Sequence, residues 1–143
     1  MSSAAFVLLI LAIDLIRGPA VPLTAQQPVR PPEASPFRIS VDDLKRLPSS
    51  SVLIVDVRPS AAYALGHIIG AINVPYEGLA ARADEVRRLS AGRLIVTYCS
   101  CPTDHLSLAA IAVLTVAHGP EVRALAGGYP AWNAAAGLIV RAP

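Results

Sequence analysis

The chain is predicted to be α/β, a single domain over residues 37–143 with a largely parallel central sheet flanked by helices. Three observations predict it. Val52–Val57 and Leu94–Tyr98 are short, nearly unbroken apolar runs, the pattern of strands covered on both faces. Segments with helical patterning follow both runs, and strands alternating with helices build parallel sheets. Asp56 and Cys99 stand at the carboxyl ends of these two runs, where α/β sheets gather their active sites.

Composition sets the bounds. A chain of 143 residues suits one domain, because domains of about 100 to 150 residues are the common size. Its 54% hydrophobic fraction is inflated by an apolar N-terminus and many alanines. The net charge of +2 comes with scattered Lys and Arg, so no basic stripe is present to neutralise phosphates and no nucleic-acid partner is expected.

The first segment is separate from the domain. Ala4–Ile16 is apolar except for Asp14, too short for the roughly 20 residues of a membrane-crossing helix. It reads as a signal-peptide core within residues 1–25, with small residues at Gly18, Ala20 and Ala25 as cleavage points. The expected location is therefore exported: periplasm or cell envelope if the source is bacterial. An uncleaved N-terminal membrane anchor is the alternative, and would be the chain's membrane contact. Residues 26–36 carry Pro28, Pro31, Pro32 and Pro36 and read as an extended linker.

Within the domain, Ser40 precedes Asp42 and Asp43, a hydroxyl and acids that suit a helix N-terminus, and Pro48 ends the helix after Leu47. Val52–Val57 is the first buried strand. Ser60–Leu65 forms helical turns, Gly66 and Gly70 break the chain, and Ala71–Val74 is a short strand before Pro75. Leu79–Leu89 is the next helix and Leu94–Tyr98 the second buried strand. Leu106–Ala117 is an apolar helix closed by Gly119, with His118 at its end. Glu121–Leu125 is a strand and Ala131–Ala136 a last short helix.

Chemistry centres on cysteine. Cys99 and Cys101 are too few for a disulfide framework and lack the second ligand pair of a structural zinc site, which leaves a reactive thiol to weigh against buried core residues or a local disulfide. A thiol of pKa about 8.5 is only a few per cent ionised at neutral pH, so the site must stabilise the thiolate. Backbone N–H groups converging on sulfur, followed by a helix N-terminus, would do so without a cationic side chain. The segment Cys99, Ser100, Cys101, Pro102, Thr103, Asp104, His105 occupies that position. Pro102 would stiffen the loop, and Thr103 or Asp104 would cap the helix. Asp104 would also raise the thiol pKa and repel anions, with His105 as the neighbouring group able to offset it.

Three motifs carry a family resemblance. Asp56-Val57-Arg58-Pro59 with Gly66-His67-Ile68-Ile69-Gly70-Ala71-Ile72-Asn73-Val74-Pro75, then Val96-Thr97-Tyr98-Cys99, then Leu125-Ala126-Gly127-Gly128-Tyr129-Pro130-Ala131-Trp132, resemble in order the N-terminal signature, catalytic strand and C-terminal signature of the rhodanese-like domain family. The resemblance implies a single-domain sulfurtransferase. Cys99 matches the catalytic position, taking a sulfane sulfur from a donor such as thiosulfate and passing it, through a persulfide, to cyanide or a thiol, including a thiol on a protein partner. No metal or organic cofactor is implied. Many members have a shorter loop with a glycine and often an arginine; Cys99–Ser107 has neither. Counting from Cys101 to Ser107 reproduces the shorter loop, but the strand ending at Tyr98 favours Cys99.

The remaining residues divide between structure and chemistry. Asp56 and Arg58 read first as a structural pair and second as part of the mouth of the site. His67 reads as a backbone partner that fixes a turn, or as a proton carrier. Gly127 and Gly128 suit a tight turn and Trp132 the core. Cys101 would form a local disulfide with Cys99 or resolve a persulfide or sulfenic acid on it. Two further functions compete: a redox-sensing, sulfur-carrying or partner-binding module with little turnover, and a phosphatase-like or arsenate-reductase-like enzyme, which the absence of a loop arginine disfavours.

Overall fold

A computed structural model describes residues 35–101 and 103–142. The expected signal peptide and most of the linker lie outside the described residues, as does Pro102. Among the described residues no helix is long and apolar enough to cross a membrane.

The chain enters through a two-residue strand β1 (Arg38–Ile39) and helix α1 (Val41–Arg46), whose Ser40 hydroxyl accepts the Asp43 N–H at 3.0 Å. A 3-10 turn leads into strand β2 (Val52–Asp56), followed by α2 (Ser60–Leu65), β3 (His67–Ile68) and β4 (Ile72–Asn73). Helix α3 (Tyr76–Ser90) begins three residues before the predicted Leu79. Its first turn holds Glu77 and Gly78, which carry no apolar signal, and Pro75 precedes it.

Strand β5 (Leu94–Tyr98) and helix α4 (His105–Leu114) come next, then β6 (Val122–Leu125), α5 (Gly128–Ala134) and β7 (Ile139–Val140). The predicted extension of α4 to Ala117 is corrected by the structure. Leu114 is the last buried residue of its core face, and the β-branched Thr115 that follows is already extended. The chain then turns through His118 at φ 59°, so His118 sits beyond the helix and Gly119 does not close it.

Five parallel strands pair in the order β1-β6-β5-β2-β4, and β3 pairs antiparallel with β7 beside them. The pleat sends alternate side chains to opposite faces. Leu53, Val55 and Ile95 pack on one face against Leu79, Val86 and Leu114 of α3 and α4. Val52, Val96 and Tyr98 pack on the other against Leu44 of α1 and Trp132 of α5.

One buried cation ties the carboxyl ends of the strands together. Arg58, 5% exposed, donates from Nε and a terminal nitrogen to the fully buried Asp56 carboxylate, and from the same terminal nitrogen to Gly66 O at 2.7 Å. Its guanidinium lies 5.3 Å from the Tyr98 ring centre and 4.0 Å from that of Tyr129. Burial works against the Arg58 charge, but Asp56 more than offsets it and holds the guanidinium above its ordinary pKa. Burial first, and then Asp56, push the Tyr98 phenol well above its usual range, so it stays neutral and accepts the Ile68 N–H at 3.2 Å.

Removing one partner of such a pair leaves the other charge buried alone. Arg58→Ala is therefore expected to lower stability by about 3 to 5 kcal/mol in urea denaturation. A loss under about 1 kcal/mol, the size expected of an exposed pair, would contradict this account.

Candidate active site

Cys99 follows Tyr98 at the carboxyl end of β5 and is 1% exposed, on the face that packs against α4. Two contacts set its position. The Tyr129 N–H donates to Cys99 O at 2.9 Å, pinning the strand end to the start of α5. The Cys101 N–H donates to Cys99 Sγ at 3.4 Å, while the Cys99 thiol is 3.8 Å from Cys101 O. Among the described residues, that N–H is the backbone donor on the sulfur, fewer than the converging set the sequence suggested.

The approach of α5 requires glycine. Gly127 and Gly128 adopt φ 71° and 54°, and a Cβ on Gly128 would stand 2.4 Å from Cys99 O. The double glycine thus supplies both a left-handed turn and room for the cysteine carbonyl.

The loop beyond Cys99 splits into exposed and buried parts. Ser100, Thr103 and His105 are exposed and Cys101 is half-buried. Asp104 is 1% exposed and stands just before α4 at φ 58°. It makes no side-chain cap, which corrects that expectation; its Oδ2 instead accepts from Arg38 Nε of β1 at 3.3 Å. The cation offsetting Asp104 is therefore Arg38, and His105 turns elsewhere. Arg38 was missed because it lies 66 residues away in sequence. Among the described residues, Asp104 Oδ1 and the buried Ser107 Oγ have no hydrogen-bond partner. The Thr97 hydroxyl donates to Ser107 O at 3.0 Å, placing the first turn of α4 beside the strand that ends in Cys99.

Cys101 Sγ lies 3.9 Å from His105 Nε2, and His105 Nδ1 lies 3.5 Å from Thr103 Oγ1. Both cysteines are free, so the local disulfide is not formed here. Burial, the neighbouring Cys99 thiol and the Asp104 charge push the Cys101 thiol above its ordinary pKa.

The other residues singled out in the sequence make contacts within the scaffold. Asp56 and Arg58 are engaged with each other, Gly66 and the aromatic rings. His67 Nδ1 is 2.9 Å from Tyr63 O, and its ring stacks on Tyr63 at 3.6 Å between centroids. Trp132 is 6% exposed in the core. A cavity of about 520 Å³, lined among others by Leu44, Ile68, Trp132 and Leu138, has no described residue of the Cys99 loop in its wall.

Residues 40–135 match the family described as Rhodanese-like domain. The chain belongs to the rhodanese-like family. It is 38% identical over 92 residues to the HTH-type transcriptional regulator Rv0324 of Mycobacterium tuberculosis, covering 64% of this chain and 39% of that protein. The chain thus spans about two fifths of that relative's length. Among solved structures, the rhodanese-like domain of the Anabaena Alr3790 protein is 30% identical with a TM-score of 0.63, over 74% of this chain and 80% of that one. The BH2092 protein of Bacillus halodurans is 28% identical with a TM-score of 0.64, over 73% and 77% of the two chains. A thiosulfate sulfurtransferase of Pseudomonas aeruginosa shares the fold at 20% identity and TM-score 0.62, over 74% of this chain and 20% of that one. The rhodanese-like fold is consistent with sulfurtransferase activity.

Two outcomes test the loop geometry. Gly128→Ala is expected to displace the Cys99 carbonyl and destabilise the domain by about 1 to 3 kcal/mol in thermal or urea melts, as overpacking does. Asp104→Asn removes a negative charge that favours the neutral Cys101 thiol, so the Cys101 pKa falls and its thiolate fraction at pH 7.5 rises. Cys101 alkylation, followed by mass spectrometry, should then quicken roughly two- to fivefold. A slower reaction would contradict the electrostatic assignment.

Proposed function

We propose that the domain is a sulfurtransferase whose nucleophile is Cys99. The observation carrying this reading is the position of its sulfur: buried at the carboxyl end of β5, with the Cys101 N–H directed at it. An N–H on sulfur favours the anion, and the same donor serves a persulfide after transfer. In the first step the Cys99 thiolate attacks the sulfane sulfur of the donor; the new S–S bond forms as the donor's bond to that sulfur breaks, and the donor departs as its anion. In the second step cyanide or a thiolate attacks the outer sulfur, and Cys99 leaves as thiolate. Ser100 and Thr103 line the exposed side of the loop, where donor and acceptor would approach.

Charge narrows the donor class. Cys99–His105 contains no arginine or lysine, and its acid, Asp104, already shares Arg38. Thiosulfate is a dianion, which this loop cannot hold with a paired cation. A small-molecule persulfide brings less charge to the reacting centre and is the donor class the loop suits. The same lack of a cation argues against phosphate and arsenate substrates.

A second reading is a sulfur- or redox-sensing module that holds a persulfide without rapid turnover. The similarity to a transcriptional regulator favours it, as does the burial of Cys99.

Thiocyanate formation from cyanide separates the readings. The reduced chain is expected to turn over, with kcat/KM for glutathione persulfide at least about tenfold above that for thiosulfate, and Cys99→Ser to lose at least about 100-fold. Stable persulfide on Cys99 without turnover would favour the sensing module. No sulfur uptake from either donor would sink both.

A further inference from the structure

Cys99 and Cys101 differ in a way that a single-cysteine transfer leaves unused. Cys99 is 1% exposed, whereas Cys101 is half-buried and borders the exposed side of the loop. They share one loop: the Cys101 N–H reaches Cys99 Sγ at 3.4 Å, and the Cys99 thiol is close enough to that of Cys101 to push it towards its neutral form. A persulfide adds only about 2.05 Å of S–S bond to the buried sulfur, which keeps its outer atom within the loop and away from a bulky acceptor. His105 completes the arrangement. Its Nε2 is 3.9 Å from Cys101 Sγ, and its other nitrogen, Nδ1, is 3.5 Å from the Thr103 hydroxyl. In the tautomer that donates Nδ1–H to Thr103 Oγ1, Nε2 is an acceptor facing the Cys101 thiol.

We infer that Cys101, with His105 as its base, is a second sulfur carrier: it takes the sulfane sulfur from Cys99 and delivers it to thiols too large to reach Cys99. This rests on Cys99 being loaded as proposed above. The Cys101 S–H proton passes to His105 Nε2. The resulting Cys101 thiolate attacks the outer sulfur of Cys99–S–SH, the Cys101–sulfur bond forms, and the bond from Cys99 to that sulfur breaks. Cys99 departs as a thiolate facing the Cys101 N–H, and Cys101 now bears the S–SH group. No electrons are gained or lost overall, and no further reactant is needed. Because burial, Cys99 and Asp104 hold Cys101 in its thiol form, its use as a nucleophile calls for a proton acceptor at the sulfur, the place His105 occupies. Attack on the inner sulfur would instead give a Cys99–Cys101 disulfide and hydrosulfide, a short-range bridge whose geometry is strained.

The full reduced chain, loaded with one equivalent of glutathione persulfide and then alkylated, tests the relay by fragment-ion mass spectrometry. The expected result is sulfane sulfur on both Cys99 and Cys101 in the wild type, on Cys99 alone in Cys101→Ser, and on neither in Cys99→Ser. Discharge is measured in parallel with a folded protein bearing one exposed thiol, an acceptor far bulkier than the glutathione donor, and with cyanide. The ratio of the protein-thiol rate to the cyanide rate should fall at least about fivefold in Cys101→Ser, and fall in His105→Asn as well. Cys101→Ala repeats the measurement if the serine variant does not fold. Sulfur confined to Cys99 in the wild type overturns the relay while leaving Cys99 as the nucleophile. Direct loading of Cys101 in Cys99→Ser, or hydrosulfide release with a disulfide, also overturns it. A wild type that loads neither cysteine removes the sulfurtransferase reading itself.

Discussion

The carboxyl ends of the strands are held in place by one buried guanidinium. Arg58 leaves the end of β2, folds back onto Asp56, reaches Gly66 O ahead of β3, and lies over the rings of Tyr98 and Tyr129. These contacts join β2, β3, β5 and α5 where the reactive loop departs. A charge at this depth is tolerable only because its hydrogen bonds are made by a carboxylate and a carbonyl and its faces are covered by aromatic rings. The geometry around Cys99 inherits that constraint, since Tyr98 immediately precedes it and the Tyr129 N–H holds its carbonyl.

The loop is anchored on two sides by contacts far apart in sequence. Gly128 lets α5 approach the Cys99 carbonyl, and Arg38 of β1 holds Asp104 just before α4. Between these anchors, Cys101 and His105 border the more exposed part of the loop. The arrangement puts a buried thiol and a half-buried one in the same loop, with the buried acid Asp104 between Cys101 and His105.

Much of the fold was legible. The runs Val52–Val57 and Leu94–Tyr98 are apolar on both faces because both faces are covered, and no tertiary knowledge is needed to see that. The pairs β1 with β6 and β3 with β7 escaped because two-residue strands have no period to detect. The end of α4 was misplaced because Thr115, Val116 and Ala117 continue the apolar composition while the buried face stops at Leu114. In the site, the place of Cys99 at the end of a buried strand and the pairing of Asp56 with Arg58 were readable from motif and local pattern.

The sequence by itself determined the α/β class, the strand that delivers Cys99, and the glycines beside it, since periodicity and backbone preference are local properties that act within a few residues. Only the tertiary structure decided that Asp104 answers to Arg38 instead of capping its helix, that Cys99 is buried while Cys101 is not, and that His105 stands by Cys101. Charge pairing and burial depend on distance in space. Residues 38 and 104 become neighbours only when parallel strands bring the first strand and the last large helix to the same end of the sheet.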